Sequence, residues 1–351
     1  KEKGWEVTII APIDEYIESI PQAEYDRYLP LRFLKPRQSS PLKELRVLIE
    51  LSGHLRRESF DLIFTFTAKP NVYTPLLSKN VPILGTVTGL GSAFIQGGWT
   101  RFFLKRLYKF GYGRRHHLAF HNDADQRLFE QGHLISRGRT KLIPGSGIDT
   151  DAIEVKPDLE SNRFVFLYAG RVMKEKGILE FLEAANQLVA TDKKVSFVIA
   201  GLWEERGGIK KKIFKRLTRH PRINYLGHVE DMEGLWAMTD CLVLPSYREG
   251  MPRSVLEAMA HAKPIIVADT PGCRQTVEEG KNGWLVKPQS SEALQFVMSR
   301  MLQLSSNERM AMGKEGRRKV KTEFDERIIV GKYMEWAEAQ IEQGDHVQHQ
   351  K

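Results

Sequence analysis

Short apolar runs alternate with stretches of helical apolar spacing along the first 150 residues. Most of these runs end in Pro, Gly or Asn, as is typical of buried strands, whereas residues 41–58 repeat their apolar positions at helical intervals. The strand-like runs are EVTIIAP (6–12), DLIFTFT (61–67), PILGTVTG (82–89), HLAFHN (117–122) and KLIPGSG (141–147). Strands that alternate with helices predict parallel pairing in βαβ units.

A second series of the same kind begins after about residue 155. Its strand-like runs are residues 164–170, 195–201, 223–229, 241–246, 264–269 and 283–288. Two such series predict the α/β fold class, with two doubly wound, Rossmann-like domains. We expect an N-terminal domain at 1–151, a polar linker at 152–162 and a C-terminal domain at 163–325.

The two ends of the sequence carry separate expectations. The opening KEKGWEVTIIAP (1–12) has the pattern of a last helical turn, a glycine cap and a strand, so we expect the first βα unit of the N-terminal domain to be missing. Residues 326–343 predict a helix that packs back toward the N-terminal domain. The polar residues 344–351 predict a disordered tail.

Composition narrows the classes of function. Two cysteines, Cys241 and Cys273, provide neither a disulfide framework nor metal-ligand spacing, which favours a cytoplasmic protein. We expect no transmembrane helix, because no apolar run approaches the length of a membrane span. The net charge of +9 favours anionic partners. No nucleic-acid-binding module is recognisable, so we expect no nucleic-acid partner.

Basic residues follow the strand at 164–170. Arg171 and Lys176 come after Gly170 and just before a predicted helix. A guanidinium and an ammonium beside a helix N-terminus can bind a pyrophosphate. The same spacing also fits ordinary solvated charges.

The stretch SYREGMPRSVLEAM (246–259) lies where a strand leads into a helix. Pro252 suits the first helical position, and no side chain before it can cap the helix, so a phosphate could pair with the free N–H groups. Glu257 could accept hydrogen bonds from ribose hydroxyls. Glu249 lies in the loop and would face the group that is attached to the phosphate. The alternative is a surface ion pair between Arg253 and Glu257.

These motifs together resemble one enzyme family. GRVMKEKG, LGHVEDMEGLW, DCLVLPSYREGMPRSVLEAMAHAKPIIVADTPGC and NGWLV follow in the order found in family 4 retaining glycosyltransferases, which have the GT-B fold. The resemblance spans nearly the whole chain, and the block between the two glutamates is its most specific part. Among these relatives, the TGLG sequence at 88–91 points to a subgroup of polysaccharide and glycolipid assembly enzymes.

Carried over by motif, the resemblance implies that Arg171 and Lys176 hold the diphosphate and that Glu249 holds the donor sugar. These three are the expected catalytic residues. The other expected donor-binding residues are Gly170, Gly227, His228, Val229, Gly250, Met251, Pro252, Arg253, Ser254, Val255 and Glu257. The resemblance implies no metal and no cofactor besides the nucleotide-sugar substrate.

The N-terminal domain departs from the family at one position. Thr88 stands where many relatives carry a histidine, and Gly89 and Gly91 follow it in a predicted acceptor-side loop. Asp123-Ala-Asp125 matches a metal-binding DxD pattern superficially. Because it opens a helix-like stretch after AFHN, N-capping is the better interpretation.

The segment 101–118 is basic and aromatic, without an acidic residue. We expect a helix on an anionic membrane surface, although an ordinary amphipathic helix fits as well. Its cations are Arg101, Lys105, Arg106, Lys109, Arg114 and Arg115.

The resemblance implies transfer of a hexose or N-acetylhexosamine, with retention, from a nucleotide sugar to a glycan or polyprenyl-diphosphate-linked acceptor. UDP is the expected nucleotide. The enzyme would act at the inner face of the membrane, in bacterial-type surface polysaccharide or glycolipid synthesis. A non-catalytic nucleotide-sugar-binding subunit and a GT-B-fold epimerase remain as alternatives.

Overall fold

The computed structural model describes residues 1, 3–14, 17, 20–35, 40–78, 80–90, 98–112, 116–155, 163–205 and 207–348. Gly91, Arg114, Arg115 and residues 156–162 of the expected linker lie outside this set.

The first half of the chain forms two parallel sheets. One pairs β1 with β2, and the other has the order β3-β4-β5-β6. The strands are β1 (Thr8–Pro12), β2 (Arg27–Leu31), β3 (Ile63–Phe66), β4 (Ile83–Val87), β5 (His117–Phe120) and β6 (Thr140–Leu142). The helices are α1 (Pro41–Arg57), α2 (Ala68–Leu77), α3 (Gly98–Gly111) and α4 (Asp123–Gln131).

The second half forms one six-stranded parallel sheet with the order β12-β11-β10-β7-β8-β9. The strands are β7 (Phe164–Ala169), β8 (Val195–Ala200), β9 (Ile223–Gly227), β10 (Cys241–Leu244), β11 (Ile265–Ala268) and β12 (Gly283–Val286). The helices are α5 (Ile178–Thr191), α6 (Lys211–Leu217), α7 (Met232–Ala237), α8 (Arg253–Ala260), α9 (Ser291–Gln303), α10 (Ser306–Glu323) and α11 (Glu326–Gln348). Every residue of β10 and β11 is buried, as expected for parallel strands covered on both faces.

The predicted α/β class with two Rossmann-like domains is confirmed. Each strand-like run of the sequence contains a strand, and every strand pair is parallel. The sequence pattern did not predict β2, because Pro30 lies inside it. Proline is tolerated there because, among the described residues, β2 pairs with β1 alone and lies at a sheet edge.

Helix α11 returns to the first half of the chain. Its Tyr333 ring packs at 6.3 Å from the rings of both Phe64 and Phe66, and Trp336 meets His117 edge-on at 5.0 Å. The helix runs to Gln348 and so overlaps the start of the segment 344–351 for which a disordered tail is predicted. No proline interrupts the segment, and the single Gly344 costs only about 1 kcal/mol of helix propensity.

The chain crosses between the two domains twice, near Ile148 and near Phe324, and these two crossing segments run side by side. The backbone N–H of Ile148 donates to Phe324 O at 3.1 Å, and the N–H of Glu326 donates to Ile148 O at 3.0 Å. Arg327 donates to the Asp325 carboxylate and holds its pKa well below the ordinary value. These bonds join the two passages into one short connection.

Within the part of the chain that the structure describes, no helix combines the length and the apolar character needed to cross a bilayer.

Candidate active site

Two loops meet at the carboxyl edge of the six-stranded sheet, because β7 and β10 are neighbours in it. The loop after β7 includes a short 3-10 helix, Lys174–Lys176, and ends at Gly177, whose φ is +73°. A side chain at Gly177 would collide with the carbonyl oxygen of Pro245 in the loop after β10. The N–H of Tyr247 donates to Glu175 O at 2.9 Å. Glycine therefore permits the close contact that places the two loops together.

This contact brings together two residues that are far apart in sequence. Lys176 Nζ lies 2.5 Å from Glu249 Oε1, and their side chains are 22% and 10% exposed. Both groups were predicted to face the donor, and the structure pairs them directly. Because each is mostly removed from water, the pair is less screened than a surface ion pair.

Arg171 lies at the exit of β7, next to the partly buried Gly170. Its guanidinium is 54% exposed and lies 3.7 Å from the Glu204 carboxylate. The buried hydroxyl of Tyr168 donates to Arg171 O at 2.9 Å, and burial holds the pKa of that hydroxyl well above its ordinary value. Tyr168 thus remains a donor that fixes the backbone at Arg171, while the guanidinium stays accessible to an anion.

Helix α8 begins one residue later than predicted. Pro252 is its N-cap rather than its first residue, and no side chain caps the helix. The N–H of Val255 donates to Pro252 O at 3.1 Å, so this amide already has a partner. Among the described residues, no acceptor pairs with the N–H of Arg253 or Ser254. At the predicted anion-binding start of the helix, the N–H groups of Arg253 and Ser254 therefore remain available to an anion.

Glu257 lies one turn into α8. Arg253 Nε donates to its Oε1 at 3.0 Å, which is the surface pair considered as the alternative from sequence. The Glu257 side chain is only 23% exposed, however, and burial raises the pKa of its carboxyl group. Its second oxygen is not engaged by Arg253. The carboxylate can therefore keep the Arg253 contact and still accept from a ligand.

The third predicted segment lies at the end of β9. Gly227 has a φ of +72°, and its carbonyl oxygen accepts from the N–H of Gly201 at 2.6 Å. His228 is exposed, and Val229 is partly buried against the core. Because β9 is separated from β7 by β8 alone, this segment lies on the Arg171 side of the sheet edge.

The N-terminal domain reaches the same site through the end of β4. A side chain at Gly250 would overlap the carbonyl oxygen of Thr88, and a Cβ at Gly89 would lie 3.1 Å from the Gly250 nitrogen. Met251 of the C-terminal domain packs near Gly145 of the N-terminal domain. The predicted acceptor-side residues Thr88 and Gly89 thus contact the loop that carries Glu249.

Sequence analysis missed a further group of residues at this contact. Asn122 and Asp125 of the N-terminal domain are fully buried and contact Arg248, Glu249 and Gly250 of the other domain. Asn122 is the N-cap of α4, so the capping interpretation of this stretch gave the helix start. One signal in the sequence pointed to a role for Asn122 and Asp125 beyond capping. Arg248, directly before Glu249, carries a charge that needs a partner.

No group of three or more His, Cys, Asp or Glu side chains within the described ranges is arranged to hold a metal ion.

Comparison with known proteins identifies the family. The model for glycosyl transferases group 1 matches residues 149–319, and the glycosyl transferase 4-like model matches residues 1–122. The chain belongs to the group 1, family 4-like glycosyltransferases. The resemblance seen in the sequence is thereby confirmed.

Relatives of this glycosyltransferase include two enzymes with lipid-linked acceptors in their names. It is 27% identical to N,N'-diacetylbacillosaminyl-diphospho-undecaprenol alpha-1,3-N-acetylgalactosaminyltransferase of Campylobacter jejuni, over 95% of this chain and 91% of the relative. It is 26% identical to UDP-Gal:alpha-D-GlcNAc-diphosphoundecaprenol alpha-1,3-galactosyltransferase of Escherichia coli, over 72% of this chain and 68% of the relative.

Solved structures share the fold of this glycosyltransferase. A glycosyltransferase from Rickettsia africae superimposes with a TM-score of 0.78 at 18% identity, over 97% of this chain and 91% of that one. Anabaena HepE in complex with UDP gives a TM-score of 0.78 at 19% identity, over 95% of this chain and 100% of that one. The GT-B fold is thus supported by sequence and structure.

Proposed function

We propose that this glycosyltransferase transfers a hexose or N-acetylhexosamine from a UDP-sugar to a hydroxyl of a glycan or polyprenyl-diphosphate-linked acceptor, with retention. The observation that carries the proposal is the convergence of Arg171, Lys176, Glu249 and the start of α8 at one sheet edge. The names of the two relatives with lipid-diphosphate acceptors support this acceptor class, and one of them names UDP-galactose. We place the reaction in bacterial-type surface polysaccharide or glycolipid synthesis.

Departure of the nucleoside diphosphate develops negative charge, and this chain has groups suited to stabilise it. Arg171, Lys176 and the N–H groups of Arg253 and Ser254 provide fixed positive charge and dipoles. These groups can bind the diphosphate directly, without a metal ion or another cofactor. Gly227, His228 and Val229 provide a strand-end surface for the base.

Glu249 orients the donor sugar in this proposal. Its carboxylate is mostly buried beside Lys176, which places an anion next to a phosphate-binding cation. Once the diphosphate takes over Lys176, the carboxylate is left to accept from sugar hydroxyls and to offset positive charge at the anomeric carbon. An acceptor hydroxyl that attacks on the face of the departing diphosphate then gives retention without an enzyme nucleophile.

Product stereochemistry tests the reaction. We would incubate the protein with UDP-glucose, UDP-galactose, UDP-GlcNAc or UDP-GalNAc and a polyprenyl diphosphate that carries an N-acetylhexosamine. The expected result is acceptor-dependent UDP release, with an α-linked product identified by the anomeric proton coupling in NMR. A β-linked product would contradict retention. UDP binding without turnover on this panel would contradict the enzymatic proposal and favour a binding subunit.

Glu257 is expected to make UDP affinity dependent on pH. A carboxylate accepts from two ribose hydroxyls better than a neutral carboxyl group, and burial raises the Glu257 pKa, so affinity should fall as pH is lowered from 7.5 toward 5. Glu257→Gln should bind UDP about tenfold more weakly at pH 7.5. Calorimetry at several pH values on both proteins separates this effect from the titration of UDP itself. An equal pH dependence in the variant would contradict the role of Glu257.

Helix α3 provides a surface for an anionic membrane in this proposal. Leu104 and Tyr108 pack against the core, yet Phe103 and Phe110 are 59% and 74% exposed on a helix with several cations. An ordinary amphipathic helix would hide these rings, whereas a bilayer interface accommodates rings and cations together. We therefore place the protein at the inner face of the membrane.

Vesicle binding should depend on the cations of α3. Replacing Lys105 and Lys109 with glutamine should weaken binding to phosphatidylcholine vesicles that contain phosphatidylglycerol by about 30-fold, at about 1 kcal/mol for each cation. The matched control replaces Lys314 and Lys321, two exposed lysines of α10, with glutamine. Cosedimentation measures both proteins. Equal losses in the two variants, or equal wild-type binding without phosphatidylglycerol, would contradict the proposal.

A further inference from the structure

We propose that Asn122 and Asp125 of the N-terminal domain are positioning residues for Glu249, so that the sugar-binding half of the active site is completed by contact between the domains. This inference rests on the proposed role of Glu249 in sugar transfer. It assigns a function to two buried polar residues that lie outside the donor-binding motifs.

Asn122 uses both ends of its side-chain amide. Its Oδ1 accepts from the N–H of Asp125 at 2.8 Å and caps α4. Its Nδ2 donates toward Gly250 O at 3.2 Å and Glu249 O at 3.4 Å, both in the other domain. The residue is fully buried, so water does not compete for these bonds. Asn122 therefore fixes the peptide units on the C-terminal side of Glu249.

Asp125 holds the residue on the other side of Glu249. Its carboxylate is fully buried, pairs with Arg248 Nη2, and also accepts from Asn122 Nδ2 at 3.0 Å and from the N–H of Leu90 at 3.3 Å. A buried carboxylate requires such partners, and loss of one of them leaves an uncompensated charge. Arg248 is thus held to the N-terminal domain directly before the sugar-facing carboxylate.

The Glu249 loop is also enclosed by backbone. On one side Gly250 contacts Thr88 and Gly89 of the N-terminal domain. On the other side a Cβ at Gly272 would lie 2.5 Å from Gly250 O and 2.6 Å from Glu249 O. The carbonyls of Glu249 and Gly250, the Arg248 side chain and both faces of the loop are thus held in place. Because the N-terminal domain makes several of these contacts, the direction of the Glu249 side chain depends on that domain.

Two of the nucleotide-binding groups do not share this dependence. Arg171 and the end of β9 belong to other loops of the six-stranded sheet. Loss of the Asn122 contact should therefore impair sugar transfer and spare UDP binding. A merely structural role would lower both together with stability.

Asn122→Ser isolates the contact, because serine remains a good N-cap but has no amide to reach the loop. We expect kcat for UDP-sugar turnover to fall about tenfold, the Kd for UDP to change less than about twofold, and backbone amides of 246–252 to exchange hydrogen faster. Exchange of 170–177 should stay unchanged. The control is Ser305→Ala, which removes the N-cap of α10 away from the donor loop and should lower only Tm.

A double-mutant cycle tests the ion pair. Asp125→Asn leaves the partly buried Arg248 without its charge partner, so we expect a larger loss of turnover than for Asn122→Ser. Adding Arg248→Gln to Asp125→Asn removes that charge and should restore part of kcat, so that the double variant is less impaired than the product of the single losses. Simple multiplication of the two losses would overturn the pairing role.

Hydrogen exchange separates this inference from the proposed function. If the wild-type protein fails to bind UDP or to turn over any donor, the proposed donor is wrong. Faster exchange of 246–252 in Asn122→Ser would still support the positioning contact. Unchanged exchange in that loop, or equal losses of UDP affinity and kcat, would overturn the inference.

Discussion

Lys176→Ala is expected to lower kcat/KM for sugar transfer by roughly 100-fold to 1,000-fold, the cost typical of removing one preorganised donor to a developing oxyanion. The ammonium lies beside Glu249 and is only 22% exposed, so solvent screens it weakly. Its charge should interact more strongly with the departing diphosphate than with the bound donor. Most of the loss should therefore appear in kcat, with a smaller change in KM, as measured by UDP release in steady-state kinetics.

Lys174→Ala is the matched control for this prediction. Lys174 belongs to the same 3-10 helix but is exposed. Its removal changes the net charge equally and should leave kcat within about twofold, as is usual for surface substitutions. Equal losses in both variants would show that general electrostatic attraction of the donor, rather than a specific contact, underlies the effect. A Lys176→Ala enzyme with normal kcat would contradict the proposed clamp.

Glu249→Gln should change binding and turnover in opposite directions. The carboxylate is paired with Lys176 at 2.5 Å, so glutamine would release the ammonium for the diphosphate. We expect UDP to bind several-fold more tightly, because the protein no longer has to break an ion pair first. Turnover should fall roughly 100-fold or more, because the neutral amide cannot offset positive charge at the anomeric carbon.

Calorimetry with UDP and steady-state kinetics on the same preparation check both halves of this prediction. Glu175→Gln removes an exposed carboxylate next to Lys176 and serves as the control for net charge. Weaker UDP binding by Glu249→Gln would contradict the idea that Lys176 is shared between the carboxylate and the diphosphate. Full activity would remove Glu249 from the proposed mechanism.

Much of the site could be predicted from sequence because its residues are adjacent to strands. Apolar runs located the ends of β7, β9 and β10, and parallel pairing places those ends at one edge. Lys176 and Glu249 were thus expected near each other, although no pattern indicated that they form an ion pair. That pair depends on the backbone contact between Gly177 and Pro245.

Contacts between the domains were beyond sequence reasoning. Asn122 and Asp125 look like ordinary capping residues, because capping is a local role that the sequence displays. Their contacts with Arg248 and Gly250 span 123 and 128 positions and depend on the relative placement of two sheets. Pro252 shows a smaller limit of the same kind. Proline fits both the N-cap and the first turn, and its extended backbone conformation in the structure makes it the N-cap.

The paired passages near Ile148 and Phe324 have a mechanical consequence for the enzyme. Two adjacent covalent connections leave one main axis about which the sheets can rotate. Torsional changes at these passages therefore alter the contact between Asn122 and the Glu249 loop. Substitutions in that short connection can thus alter turnover without contact with any substrate.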